Sequence, residues 1–239
     1  MPEPPVPETA PPAKPGSARV LLQMLRTYAW FIVSLFLAAG RFDWKRGWIA
    51  VALWVVGMTT LGLIAHYCNP GLLRERAKWR RKDTKPFDKV FLAIYAPLVM
   101  LQPAFCGLDA VRYHWSSMPF ASVYPGVLLF ALAMALIGWV LATNPYAEST
   151  VRIQTDRGQT VVTSGPYRFV RHPFYVGSIL MYMATPLVLG SAWALLTTVL
   201  IVLLFVWRTA REDQTLRQEL PGYEEFAART RYRLLPGVW

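Results

Sequence analysis

Between His172 and Trp207 the chain runs for 36 residues without a formal charge. A helix crossing the hydrocarbon core of a bilayer needs about 20 apolar residues. The run is too long for one crossing and just long enough for two. Pro186, Gly190 and Ser191 lie near its middle, and such residues favour a reversal of the chain. The reading is a tight helical hairpin over about 174–189 and 192–207. Four further apolar runs, at 21–39, 48–67, 90–108 and 122–142, bring the expected count to about six. The fold class is therefore all-α integral membrane, with a small cytoplasmic cap formed by the polar segments around the hairpin.

Composition agrees. Hydrophobic residues make up 54% and charged residues 16%, against about 25% charged in a soluble domain. That excludes a disordered tail protein, a coiled coil and a disulfide scaffold. The net charge of +11 suits cytoplasmic loops of a membrane protein better than a nucleic-acid surface. With six spans and an inside N-terminus, twenty of the 25 Lys and Arg residues fall inside and four outside. Read as one helix, the last run would turn six basic residues outward. Both termini are thus expected in the cytoplasm of a multi-pass protein. Residues 1–19 carry seven prolines and read as a disordered tail. A Pro-rich, acidic start is unlike a signal peptide, so the first apolar run reads as a retained span. The domain reading is a tail at 1–19, four spans over 20–142, and a loop, hairpin and tail over 143–239.

Two polar segments flank the hairpin. In the first, residues 151–154 and 159–162 read as short strands around an Asp156-Arg157-Gly158 turn. Pro173 suits the first turn of a helix. Arg171 and His172 then stand beside that helix's unsatisfied N–H groups, where an anion such as a carboxylate can be received. The same residues also suit a basic, aromatic interface anchor. In the second segment, residues 211–220 read as an amphipathic helix, Pro221-Gly222 as a break, and 223–229 as a short helix. Leu234, Leu235, Val238 and Trp239 return to the bilayer surface. Glu212 and Asp213 form an acidic spot on a basic face, the kind of cluster that is usually solvated. His66 and His114 each stand alone. Cys68 and Cys106 read as two buried small hydrophobes, and no Cys or His spacing suits a metal. The eight basic residues of 69–89 fix topology or bind anionic lipid.

The run Gly165-Pro166-Tyr167-Arg168-Phe169-Val170-Arg171-His172-Pro173-x-Tyr175-x-Gly177 is followed by Glu212-Asp213-x-x-Leu216. Pro221-Gly222-Tyr223-x-x-Phe226 and Tyr232-Arg233-Leu-Leu-Pro236-Gly237 complete the pattern. Together they resemble the isoprenylcysteine carboxyl methyltransferases, part of a wider group with the phospholipid N-methyltransferases. The likeness is strongest over about 144–239. It implies S-adenosylmethionine as methyl donor, bound on the cytoplasmic side, and a lipid-like or prenylated acceptor that enters from the bilayer between helices. It implies cofactor contacts for Gly165, Tyr167, His172, Tyr175 and Glu212. Arg171 and Arg229 match family arginines linked to activity and would steer the acceptor carboxylate, with Arg233 as an alternative to Arg229. Phe226 stands where the family often has a second Tyr, and Asp213 replaces the second Glu of a common Glu-Glu pair.

Such methyl transfer needs no metal, redox centre or covalent enzyme intermediate. A carboxylate and a sulfonium neutralise each other as they react, which a water-poor site favours. Arginine can hold a carboxylate by two parallel hydrogen bonds. An amine acceptor would need a base, for which His172 and Glu212 are the candidates. N-methylation of an amino lipid is the closest alternative, and an NADPH-dependent membrane reductase is a more distant one.

Overall fold

A computed structural model of the protein describes residues 17–76 and 82–239. The expected Pro-rich tail lies outside the described residues as far as residue 16. Ser17 opens the first helix. Eight α-helices follow among the described residues: α1 (Ser17–Ala39), α2 (Lys45–Cys68), α3 (Pro70–Arg76), α4 (Pro86–Gly107), α5 (Val123–Thr143), α6 (Pro173–Leu189), α7 (Ala194–Glu219) and α8 (Tyr223–Arg229). A π-helical turn, Leu108–Tyr113, extends α4. Part of the basic 69–89 segment, residues 77–81, lies outside the described residues.

The protein is an all-α integral membrane protein. Five helices, α1, α2, α4, α5 and α7, are long and apolar enough to cross a bilayer. The sixth apolar helix, α6, has only 17 residues. At about 1.5 Å per residue it reaches roughly 25 Å, short of a hydrocarbon core of about 30 Å. The expected six spans are therefore five full-length helices and one short one.

The hairpin turns where the residues demand it. Gly190 caps α6 at φ 82°, a left-handed conformation open to glycine, and its N–H donates to the Pro186 carbonyl at 2.7 Å. Arg46, from the first turn of α2, donates to the carbonyls of Met118 (2.8 Å) and Leu187 (3.3 Å). The buried Asp109 carboxylate accepts from the hydroxyls of Ser116 and Ser191. These bonds tie the loops together at this end of the bundle. At the opposite end, the Asn69 amide donates to the last carbonyls of α5, and the Lys85 N–H, just before α4, donates to the Val151 carbonyl at 3.0 Å. α6 begins and α7 ends there as well.

The expected strands at 151–154 and 159–162 are absent, because their backbone groups bond elsewhere. The Val151 N–H donates to Asp88 at 2.7 Å, and the Gln154 N–H to the Gln159 side chain at 2.7 Å. A single 3₁₀ turn, Thr155–Arg157, stands where the strand turn was expected. Val151 anchors the segment to α4, and its own backbone bonds close only the turn between Gln154 and Gln159. Helix α3 was not anticipated, and of the two cysteines only Cys106 is buried while Cys68 is exposed.

α5 and α6 pack closely because glycine removes the obstructing side chain. A Cβ at Gly177 would lie 2.6 Å from Ile137 Cγ1, and one at Gly126 2.7 Å from Val188 Cγ2. Gly177→Val is therefore expected to lower stability by about 1–3 kcal/mol through overpacking, read as a lower melting temperature in detergent. Gly62→Ala, whose added carbon meets only Met24 at 3.5 Å, should hold or raise it, since glycine is the poorer helix former.

Candidate active site

The polar segments meet at one buried carboxylate. Asp213 sits on α7 and is 0% exposed. Arg171, one residue before the N-cap of α6, grips it with both sides of its guanidinium, Nε to Oδ1 at 2.8 Å and Nη2 to Oδ2 at 3.2 Å. Arg217, one turn along α7, donates to Oδ2 at 3.3 Å, and Arg233 of the C-terminal segment does so at 3.0 Å. The Tyr223 hydroxyl, from α8, donates to Oδ1 at 2.9 Å. His172 Nε2 lies 3.5 Å from the same oxygen. Burial, then the Asp213 charge, raises the Tyr223 phenol far above its usual value, so it remains a donor at any working pH.

The remaining Arg171 nitrogen, Nη1, donates to the carbonyls of Ala227 (3.4 Å), Thr230 (3.0 Å) and Arg231 (3.0 Å). These carbonyls belong to the end of α8 and the residues beyond it, where helix carbonyls lack intrahelical donors. Backbone bonds complete the strap: the Arg171 N–H donates to Tyr232 and the His172 N–H to Arg233.

Beside this knot opens a polar cleft, bounded by residues 144–162, the start of α6, the end of α7, and α8. His172, Tyr175, Tyr167, Glu212 and Arg171 all line it. The His172 and Tyr175 rings are nearly parallel, 5.7 Å apart. The Tyr175 hydroxyl donates a short hydrogen bond to Glu212. Asn144 donates to the Tyr167 hydroxyl at 2.6 Å, and burial raises that phenol well above its usual range. Over the cleft, the Arg152 side chain is 2% exposed and held by Glu148 (2.9 Å), Asp156 (2.6 Å) and Asp83 (3.2 Å).

Two residues expected at the site stand apart from the cleft. Gly165 holds φ +60°, and a Cβ there would lie 2.7 Å from Thr143 Oγ1, so it seats the loop against α5. Arg229 is exposed and, among the described residues, donates only to the Glu225 carbonyl at 3.4 Å. Sequence reasoning did not single out Asp88 or Arg208. Asp88 is fully buried in the first turn of α4, and Arg208 Nε contacts it at 2.8 Å. The Arg208 guanidinium also lies over the rings of Phe91 (4.3 Å) and Tyr175 (5.1 Å) and donates to the Ser149 carbonyl at 3.1 Å. The signal was a four-residue step from Arg208 to Glu212, which places both on one helix face.

Among α1, α2, α5 and α6 lies a larger, mostly apolar open cavity, walled by residues such as Met24, Trp54, Ile137 and Met181. Phe174 lines both spaces.

Residues 121–220 match the sequence model of the phospholipid methyltransferase family. The matched stretch contains Arg171, His172, Tyr175, Arg208, Glu212 and Asp213. The chain is 33% identical over 108 residues to the cobalt-zinc-cadmium resistance protein CzcN of Cupriavidus metallidurans, covering 41% of this chain and 46% of that protein. It is 30% identical over 100 residues to the mouse Delta(14)-sterol reductase TM7SF2, covering 41% of this chain and 24% of that protein. The chain thus spans less than half the length of these curated relatives.

Asp213→Asn would leave the surrounding arginines without their counter-charge. Breaking a buried ion pair in this way costs about 3–5 kcal/mol, and the C-terminal segment should become sensitive to protease. Tyr223→Phe removes one hydrogen bond to a charged group, worth about 1.5–3 kcal/mol, and should lower the melting temperature less.

Proposed function

We propose that the protein is an S-adenosylmethionine-dependent membrane methyltransferase acting on a lipid-borne acceptor. The leading acceptor is the carboxylate of a prenylated cysteine or a similar molecule. One observation carries the reading: Phe174 is a wall common to a polar cleft and a large apolar cavity. A water-soluble donor and a bilayer-soluble acceptor are therefore brought to adjacent spaces.

The residues of the cleft suit this cofactor. Bound there, S-adenosylmethionine would supply an electrophilic methyl group on a sulfonium. Glu212 offers a carboxylate to a cationic or hydroxyl group, and Tyr175 holds that carboxylate in place. The faces of His172 and Tyr175 suit a cation. The amides of Gln154 and Gln159, also in the cleft wall, suit the polar edges of a nucleoside. Arg171 acts as a positioning residue, since its donors are occupied by Asp213 and three carbonyls. A carboxylate acceptor asks for no proton removal. An amine would require a free base, whereas Glu212 is engaged by Tyr175 and His172 faces Asp213. The start of α1 lies at the same end of the bundle as the cleft. The excess of basic residues there favours a cytoplasmic side, with both termini in the cytoplasm and no nucleic acid or metal involved.

N-methylation of an amino lipid is the second reading, favoured by the description of the matched family. The products separate the two: a methyl ester is cleaved by mild alkali and an N-methyl group is not.

Calorimetric titration of the detergent-solubilised protein with S-adenosylmethionine and NADPH in parallel tests the class. Saturable binding of S-adenosylmethionine alone is expected. Glu212→Gln should weaken it by roughly tenfold or more, the loss of a hydrogen bond to a charged group, and His172→Ala should weaken it too. Binding of NADPH alone would move the protein to the reductases.

A further inference from the structure

We propose that Arg76, at the end of α3 and outside the family-matched stretch, anchors the anionic group of the lipid acceptor where the apolar cavity meets the cleft. The inference rests on the methyltransferase reading above and names the chemistry of its acceptor: an apolar chain ending in a carboxylate or phosphate.

Arg76 lines the apolar cavity. Its guanidinium lies 5.0 Å from the centre of the Phe174 ring, the wall shared with the cleft. Its Nη1 donates to the Ala147 carbonyl at 2.6 Å, which fixes the side chain across the junction. Among the described residues Arg76 forms no ion pair. The nearby Glu148 charge favours the Arg76 cation, but the carboxylates around Arg76 bond to other groups. Glu148 is held by Arg152 (2.9 Å) and Arg157 (3.5 Å). Asp88 is paired with Arg208 at 2.8 Å, and Glu212 takes the Tyr175 hydroxyl. Two guanidiniums, Arg76 and Arg208, thus approach the junction, and only Arg208 has a carboxylate of its own.

Burial, and then the neighbouring Arg208 charge, lowers the Arg76 pKa to about 10. It is still a cation at neutral pH. A cation against an apolar wall is costly unless an anion joins it. The guanidinium offers a planar fork that matches a carboxylate or phosphate with two parallel bonds. A lipid filling the apolar cavity would bring its polar end to this fork, beside Phe174 and Tyr175. The anchor would hold the acceptor's polar end at the cofactor cleft and would reject neutral-headed lipids of the same length.

The test measures binding directly, so it does not depend on turnover. Three probes are titrated into the full-length protein in detergent: N-acetyl-S-farnesylcysteine, its carboxamide, and lysophosphatidylethanolamine. The wild type is expected to bind the carboxylate or the phosphate probe at least tenfold more tightly than the carboxamide. Arg76→Gln should erase that preference while leaving carboxamide binding and S-adenosylmethionine binding within twofold. Arg76→Lys, which keeps the charge and loses the fork, should recover part of it. Preference for lysophosphatidylethanolamine would assign the anion as phosphate, and preference for the farnesylcysteine as carboxylate. Equal binding of all three probes to the wild type, or an undiminished preference in Arg76→Gln, overturns the proposal. Absence of S-adenosylmethionine binding with the anion preference intact would instead sink the methyltransferase reading and leave the anion anchor standing.

Discussion

The cap of this membrane protein depends on a carboxylate that water cannot reach. An isolated buried charge is very costly, and it persists only where opposite charge and hydrogen bonds surround it. Asp213 gathers that surround from four places: the entry to α6, the next turn of α7, α8, and the C-terminal segment. Of these pieces α8 also packs through an apolar face, Tyr223, Phe226 and Ala227. Their common counter-ion makes them one body. Arg171 then carries the same connection outward to the last carbonyls of α8, so the floor of the cleft and the strap behind it share one side chain.

A helix rotates by about 100° per residue. Glu212, one step from Asp213, therefore faces a different direction and remains in the cleft with Tyr175. Two adjacent acids thus acquire opposite fates, one closed inside a cage of arginines and the other turned toward a ligand space. This division of labour depends on the phase of α7 against α6.

Much of the architecture was legible because it follows from local chemistry. The long uncharged run with Pro186, Gly190 and Ser191 announced a hairpin, and the turn falls at Gly190. Pro173 opens α6 and Pro221-Gly222 closes α7, as backbone rules dictate. Where the outcome depended on partners distant in sequence, the reading failed. Residues 151–154 have alternation suited to a strand, yet Asp88, more than sixty positions away, takes the Val151 N–H. The pairing of Asp88 with Arg208 was equally hidden, because the two lie 120 positions apart at the ends of separate apolar runs. Composition also suggested that the acid pair at 212–213 was solvated. Which of two neighbouring acids is buried depends on helix phase, and no residue type records that.

Phe174 lines two compartments at once, the cleft and the apolar cavity. Any molecule that turns this ring on filling one compartment alters the shape of the other. The resulting coupling free energy is the same in both directions, so the order in which two ligands arrive cannot change it. A soluble ligand and a membrane ligand would then sense each other through one torsion angle, with neither entering the other's phase.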